Sequence, residues 1–264
     1  MKQDKDYKQQ EKKMKPWKIT AAQILFLAAI LALQEYVVVK GYVSSLFLAA
    51  PSGIAASLLE LFSGSDLIHH LLITLLEFAA GFSLSVVVGV VLGVFLATLP
   101  ALDTFLKPYI SFAMSIPKVA IIPLITLWLG LGPVSKVFVV FVFSVFPILF
   151  NTVAGVRQTS VNHIKVARTL EASKYQITMK VFLPSAMPTI FASLHVAAAT
   201  AIVGAVFAEM LGARAGIGTM LSKASQLYET GELFALIIII TVFSILVTQI
   251  ITFIEKKIVL KWQS

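Results

Sequence analysis

The stretch LFALIIIITVFSILVTQIITFI, residues 233–254, contains no charged side chain. A helix of about 20 apolar residues is long enough to cross the hydrocarbon core of a bilayer. A helix on the surface of a soluble protein would instead carry polar residues along one face. This stretch therefore predicts a transmembrane helix, and it decides the class of fold.

The composition agrees with a membrane protein. Hydrophobic residues make up 58% of the 264 residues and charged residues only 13%, about half of the share usual in soluble domains. The net charge of +8 would suggest a nucleic-acid partner in a soluble protein, but the apolar content argues against one here. The absence of cysteine excludes disulfides and thiol catalysis. No two histidines have H-x-x-x-H spacing, so we predict no metal site and no catalytic residue.

Five further stretches have nearly the length and composition of membrane spans, although several contain polar residues. We therefore predict an all-α, polytopic membrane protein with about six transmembrane helices. Boundaries of this kind are good to a few residues. The predicted spans are about Ile19–Val39, Leu71–Leu99, Tyr109–Leu131, Val137–Val156, Pro188–Leu211 and Leu233–Ile254.

The distribution of basic residues sets the orientation. With both termini in the cytoplasm, sixteen of the 21 lysines and arginines fall in cytoplasmic segments and four in outer ones, as the positive-inside rule requires. Residues 1–18 are predicted to be a disordered cytoplasmic tail, followed by one transmembrane domain over residues 19–262. The first apolar stretch is longer than a signal-peptide core, so an uncleaved helix is expected.

The cytoplasmic loop over residues 157–184 carries its own helical signals. Ile164, Ala167 and Leu170 recur at helical spacing. Ser173 with a glutamine three residues later forms a capping box, which can begin a second helix. The segment thus predicts two short helices with a bend near Glu171, the second ended by a proline at 184. Its apolar residues have little within the loop to bury them, so we expect the loop to dock another protein.

This loop resembles the signature loop of binding-protein-dependent ABC importer permeases. That signature is Glu-Ala-Ala, three residues, Gly, nine residues, then Ile-x-Leu-Pro, and the present chain keeps the spacing. Lys165 stands where the family has Glu, and Glu171 stands where it has Gly. The resemblance assigns ATPase coupling to Lys165, Val166, Ala167, Arg168, Glu171, Ala172, Ser173, Val181, Leu183 and Pro184.

Other motifs resemble the nitrate/sulfonate/taurine subgroup of the same family, and the likeness runs from about Leu46 to Trp262. They include IPKVAIIP at 116–123, LWLGLG at 127–132, FPILFNT at 146–152 and AEMLG at 208–212.

The resemblance implies the membrane subunit of an ATP-driven importer in the plasma membrane of a prokaryote. The sequence contains no G-x-x-x-x-G-K-[ST] motif, so the chain has no P-loop of its own. We therefore expect a cytoplasmic partner to bind the ATP, and we expect no cofactor in this chain. The other implied partners are an extracytoplasmic solute-binding protein and a second permease chain, expected to be another copy. The solute could be a sulfonate, nitrate or a thiamine-precursor pyrimidine. The alternative function is a stand-alone secondary transporter or channel.

Three polar residues within the spans are candidates for lining the pathway. Glu209 is a carboxylate within a predicted span. Placing such a group in the membrane costs free energy, which makes Glu209 a functional candidate. It could instead pair with Arg214 in a structural role. His195 could line the pathway or make an interhelical hydrogen bond. Lys118 could face a cavity beside a broken helix, snorkel, or meet Glu77 or Glu209. The G-x-x-x-G pattern at 89–93, together with a glycine at 81, predicts close helix packing.

Overall fold

The computed structural model describes residues 16–64 and 66–263. Residues 1–15, which make up most of the predicted tail and contain six of its lysines, lie outside the described residues. The first helix begins at Pro16, three residues before the predicted start of the first span.

Every regular element of the described residues is a helix, which confirms the predicted fold class. The helices are α1 (Pro16–Val39), α2 (Pro51–Ser63), α3 (Asp66–Thr98), α4 (Pro100–Ser115), α5 (Ile122–Leu129), α6 (Pro133–Arg157), α7 (Val161–Thr169), α8 (Lys174–Ile177), α9 (Leu183–Met210), α10 (Ile217–Gln226) and α11 (Thr230–Gln263). A 3₁₀ turn, Lys118–Ile121, precedes α5, and a π-helical turn, Thr178–Phe182, joins α8 to α9.

Five of these segments are long and apolar enough to cross a membrane. They are α1, α3, α6, the unbroken helix from Lys174 to Met210, and α11. A sixth span is formed if α4 and the segment Lys118–Leu129 count as one. With that pair counted as one span, the prediction of about six transmembrane helices is confirmed.

The predicted third span, Tyr109–Leu131, is wrong as a single helix. The chain breaks between Ser115 and Lys118, and the segments on either side are bent by 84°. Ile116 adopts an extended conformation with ψ 128°, because the ring of the following Pro117 disfavours helical geometry in the residue before it.

The fifth span starts much earlier than predicted, because Pro184 does not end the loop helix. The chain remains helical from Lys174 through Pro184 to Met210. A proline inside a helix has no N–H to donate and crowds the carbonyl four residues earlier. The π-helical turn lies directly before it, and the Leu183 N–H donates to the Thr178 carbonyl five residues back. This wider turn accommodates the proline without breaking the helix.

Glycines bring α3 and α6 into close contact, as predicted. A Cβ atom placed on Gly93 would lie 2.6 Å from the Cβ of Thr152, and one on Gly81 would lie 2.6 Å from the Cβ of Val140. Gly89 meets Ile148 in the same way, at 3.0 Å. Lipid tails provide no hydrophobic drive for helices to associate, so close packing of small residues takes its place.

Helix α9 lies at the centre of the bundle, packed against α6 on one side and α11 on another. Its core face is a row of alanines, at 197, 198, 201 and 205, all completely buried. Gly204 continues this face and leaves room for the Phe143 ring of α6, which would lie 2.8 Å from a Cβ at that position. The backbone of α6 therefore approaches α9 closely near the middle of both helices.

Candidate functional site

The loop between α6 and α9 has a bend whose geometry is fixed on both sides. Helix α7 ends in a Schellman motif, in which the Ala172 N–H donates to the Ala167 carbonyl and the Glu171 N–H to the Arg168 carbonyl, each at 3.0 Å. Glu171 occupies the left-handed position of this motif, with φ 55°. The predicted bend near Glu171 is confirmed, at the position where the resembled family has glycine.

The capping box predicted at the start of α8 is present in both directions. The Ser173 hydroxyl accepts a hydrogen bond from the Gln176 backbone N–H at 3.3 Å, and the Gln176 side-chain oxygen accepts one from the Ser173 N–H at 2.7 Å. Two reciprocal bonds satisfy donors that a short helix would otherwise leave free. The bend is therefore a defined structure.

The loop exposes apolar side chains. Val166, Leu170 and Tyr175 are exposed to 60%, 76% and 70%, and α7 buries none of its own residues. We call the exposed apolar side chains the loop surface; they are Val161, Val166, Leu170, Tyr175 and Met179. Apolar side chains that project together from one end of a protein mark a surface for protein contact.

The residues assigned to ATPase coupling divide into two groups by their position. The first group is exposed and belongs to the bend; it consists of Lys165, Val166, Arg168, Glu171 and Ser173. The second is half-buried, in the bend and in the following turn that leads into α9; it consists of Ala167, Ala172, Val181, Leu183 and Pro184.

The loop is joined without interruption to a second polar site. The helix that begins at Lys174 continues to Met210, a length of about 55 Å at 1.5 Å per residue. Glu209, near its far end, is 1% exposed. A displacement of the loop can therefore be transmitted along one helix to the opposite side of the membrane.

The Glu209 side chain of α9 is held by two other helices. One carboxylate oxygen accepts the Thr74 hydroxyl hydrogen of α3 at 2.7 Å, and the other accepts the Gly218 N–H of α10 at 2.7 Å. The Thr74 oxygen in turn accepts the Ile217 N–H at 3.0 Å. A Cβ at Gly216, where φ is 123°, would overlap the carboxylate, so only glycine fits there. No hydrogen bond joins Glu209 to Arg214 among the described residues.

Two further charged side chains lie in the same region. The buried Glu77 carboxyl interacts with that of Glu209, and its Oε2 has no hydrogen-bond partner among the described residues. The Lys136 ammonium, also buried, donates to the carbonyls of Leu131 at 2.7 Å and Gly212 at 3.1 Å. Two carboxyls and one ammonium thus form a buried charged cluster near the predicted outer ends of α3, α6 and α9.

Sequence reasoning missed this cluster. In the sequence, Glu77 interrupts the second predicted span and is one of two possible partners of Lys118, but nothing pairs it with Glu209. Lys136 falls in an outer connection, because the predicted fourth span starts at Val137. Glu209 was a candidate because a carboxylate in the membrane costs free energy, and the same argument applies to Glu77. Lys136 carries no such signal, because its burial depends on where α6 begins.

Lys118 meets neither Glu77 nor Glu209. Its Nζ donates to the Phe143 carbonyl at 3.2 Å and lies 5.9 Å and 5.5 Å from the ring centroids of Phe143 and Phe146. With residues of α6 and α9 it lines an open groove of about 310 Å³. The structure therefore favours the cavity-facing alternative for this residue.

His195 makes an interhelical contact, as one of its two predicted alternatives requires. Its Nε2 lies 3.1 Å from a carboxylate oxygen of Glu255 on α11, and both side chains are about 30% exposed. This pair joins α9 to α11.

Comparison with known proteins gives one matching family and several relatives. The family model described as "Binding-protein-dependent transport system inner membrane component" matches residues 89–260. The chain is 32% identical over 241 residues to a Bacillus subtilis (strain 168) protein named as a putative aliphatic sulfonates transport permease. The aligned residues are 91% of this chain and 87% of that protein. It is 28% identical over 225 residues to the taurine transport system permease of Escherichia coli (strain K12), over 83% and 82% of the two chains.

Other comparisons widen the chemistry of the named solutes and support the fold. A formylaminopyrimidine transport permease of Halalkalibacterium halodurans is 30% identical over 194 residues, which are 74% of this chain and 77% of that protein. A solved structure of the inward-facing MetNI methionine ABC transporter gives a TM-score of 0.52 at 19% identity, over 80% of this chain and 94% of that one. At this identity the structural likeness shows the fold alone.

Proposed function

We propose that a separate ATP-binding subunit docks on the loop surface, because the chain belongs to the family of binding-protein-dependent transport system inner membrane components and is a permease subunit of an ABC importer. The loop surface projects from the bundle on a bend fixed by a Schellman motif and a capping box. A rigid bend can transmit a push that a flexible loop would absorb. This geometry is the observation that carries the proposal.

The remaining parts of the importer follow from the same proposal. ATP is bound and hydrolysed by the partner, and the permease contributes no catalytic residue or cofactor. A second copy of this chain completes the pathway, an extracytoplasmic solute-binding protein delivers the solute, and the assembly lies in the plasma membrane of a prokaryote. A small solute passes between the two permease chains as they alternate between inward-facing and outward-facing states.

A pull-down of the tagged full chain from mild detergent, after co-expression with the ATP-binding subunit, tests the loop surface. The double variant L170D/Y175D places charge on the docking surface. Tyr175 lies in the first turn of α8, where an acidic residue suits the positive end of the helix. Leu170 lies at the C-terminal end of α7, where an exposed acidic residue costs only about 0.3–1 kcal/mol, so the bend should survive. The matched control is Leu59→Asp, at a residue of α2 that is 74% exposed.

The wild-type chain and L59D should recover the ATP-binding subunit, and L170D/Y175D should recover at least roughly tenfold less. Full recovery of the ATP-binding subunit with L170D/Y175D would show that the loop surface is not its docking site. A wild-type chain that recovers no ATP-binding subunit and still moves solute in vesicles without ATP would favour the stand-alone transporter instead.

A further inference from the structure

Lys118 reaches a backbone carbonyl that a proline has left without its helical partner. In α6 the Phe143 carbonyl would normally accept the N–H of residue 147, but that residue is a proline and has none. The Lys118 ammonium donates to this carbonyl at 3.2 Å, and the Thr200 hydroxyl of α9 donates at 3.3 Å. Three separate helical segments thus meet at one carbonyl oxygen.

This meeting point lies near the middle of the membrane. Phe143 comes ten residues after α6 begins at Pro133, and Thr200 comes ten residues before α9 ends at Met210. At 1.5 Å per residue, each lies about 15 Å from the predicted outer end of its helix. The hydrocarbon core is about 30 Å thick, so Lys118 places its charge close to the midplane.

No carboxylate of the described residues neutralises the charge of Lys118. An ammonium has three N–H donors, and one hydrogen bond of Lys118 is found among the described residues, to a neutral carbonyl. The described residues contain no carboxylate within salt-bridge distance of it. A cation in the membrane without a protein counter-ion costs free energy. Such residues characteristically face a water-filled cavity on a solute pathway.

The space beside Lys118 suits a small solute. The groove of about 310 Å³ is lined by Lys118, Phe143, Ala199, Thr200 and Val203, and it falls at the lower end of the size range of ligand sites. Its apolar walls lower the local dielectric and so strengthen the attraction of the ammonium for an anion. By rotating its single hydrogen away from the Phe143 carbonyl, the Thr200 hydroxyl can donate a hydrogen bond to an acid oxygen.

We infer that Lys118 binds the acid group of the transported solute midway across the membrane, and that the solute is therefore an anion of the sulfonate or nitrate kind rather than a neutral heterocycle. The inference rests on the proposed function, since it needs a solute pathway past this groove. A single ammonium and one hydroxyl form a shallow site, which fits a transport pathway in which a solute must leave as readily as it enters.

Because the chain contains no cysteine, a single introduced thiol can test the site without the natural solute. Ala199→Cys places one thiol on the exposed wall of the groove. The full transporter complex, in proteoliposomes open to reagent on both sides, is treated with two methanethiosulfonate reagents, one carrying a sulfonate and one a trimethylammonium group. Mass spectrometry of the full chain gives both labelling rates, and their ratio reports the local charge.

The ratio of sulfonate to trimethylammonium labelling should fall roughly tenfold in A199C/K118M and recover in A199C/K118R. It should be unchanged in A199C/K107M, which removes an exposed lysine from the neighbouring α4. Ethanesulfonate in excess should slow labelling of A199C and leave A199C/K118M unaffected. An unchanged ratio in A199C/K118M, or failure of the sulfonate reagent to reach A199C, would overturn the inference.

Recovery of the ATP-binding subunit is measured on the same preparations. If the subunit is recovered and the ratio does not depend on Lys118, the anion site is wrong and the importer assignment stands. If the unmodified chain recovers no such subunit, the proposed function itself fails. Measurable uptake of a neutral pyrimidine by the wild-type complex that the K118M complex retains would also overturn the inference.

Discussion

The hydroxyl of Thr74 donates a hydrogen bond of 2.7 Å to the carboxylate of Glu209, and this contact ties α3 to the far end of the helix that begins in the loop. Because the Gly218 N–H binds the other carboxylate oxygen, Glu209 joins α3, α9 and α10 at one point. The structure thus gives this intramembrane carboxylate defined interhelical contacts, whatever part it takes in transport.

Replacing Glu209 by alanine should destabilise the bundle. The change leaves the buried Gly218 N–H without its acceptor, at about 1–3 kcal/mol for an unsatisfied group, and it leaves the Thr74 hydroxyl only its longer bond to the His70 carbonyl at 3.2 Å. The thermal unfolding midpoint in detergent should therefore drop by several degrees. Glu229→Ala, at an exposed acidic residue near α11, is the control and should change little. Equal midpoints for the two variants would show that Glu209 does not hold the helices together.

Glu171 should tolerate asparagine far better than isoleucine. Its φ of 55° lies in the left-handed region, which asparagine enters readily and a β-branched residue does not. Any residue with a Cβ pays on the order of 1–2 kcal/mol in this region, and a β-branched side chain adds to that cost, so isoleucine should raise the open population of the bend severalfold above that of the wild type. Limited trypsin cleavage at Lys174 measures that population, and E171N should be cut at nearly the wild-type rate. Similar cleavage of E171I and wild type would contradict the left-handed bend.

A methyl group at Gly93 should be costly, and one at Gly53 should not be. A Cβ at 93 would lie 2.6 Å from Thr152, whereas a Cβ at 53 has nothing within 4 Å. Overpacking of this kind costs about 1–3 kcal/mol, while alanine for glycine on the exposed α2 slightly favours the helix. G93A should therefore lower the unfolding midpoint in detergent, and G53A should leave it unchanged or raise it. A stable G93A would mean that α3 and α6 are further apart than described.

The sequence predicted the parts of this fold that depend on local patterns. Apolar length located the spans, the glycines at 89 and 93 indicated a close helix contact, and Ser173 with Gln176 indicated the start of α8. The predictions failed where neighbouring geometry decides the outcome. Pro184 was expected to end a helix, but a π-helical turn just before it keeps the helix unbroken. Pro117 was expected to lie inside one span, but it separates two segments at 84°.

The candidate site shows the same division. The loop could be found because its spacing is local, whereas the charged cluster depends on contacts between residues far apart in the chain, such as Glu77 and Glu209. The hydrogen-bond partner of Lys118 could not be predicted from the sequence for a different reason. That partner is a backbone carbonyl, which is present at every residue, and only the proline four residues further along distinguishes this one.

That proline provides the last prediction. Pro147→Ala restores an N–H opposite the Phe143 carbonyl, and removing a proline from a helix interior is worth up to about 3 kcal/mol. The unfolding midpoint should therefore rise, but the carbonyl that positions Lys118 and Thr200 would then be occupied by its own helix. We expect P147A to be more stable and slower in solute uptake by the complete transporter. Pro108→Ala, which removes a proline from inside α4, should gain stability without losing uptake. Undiminished uptake by P147A would show that the Phe143 carbonyl does not position Lys118 for transport.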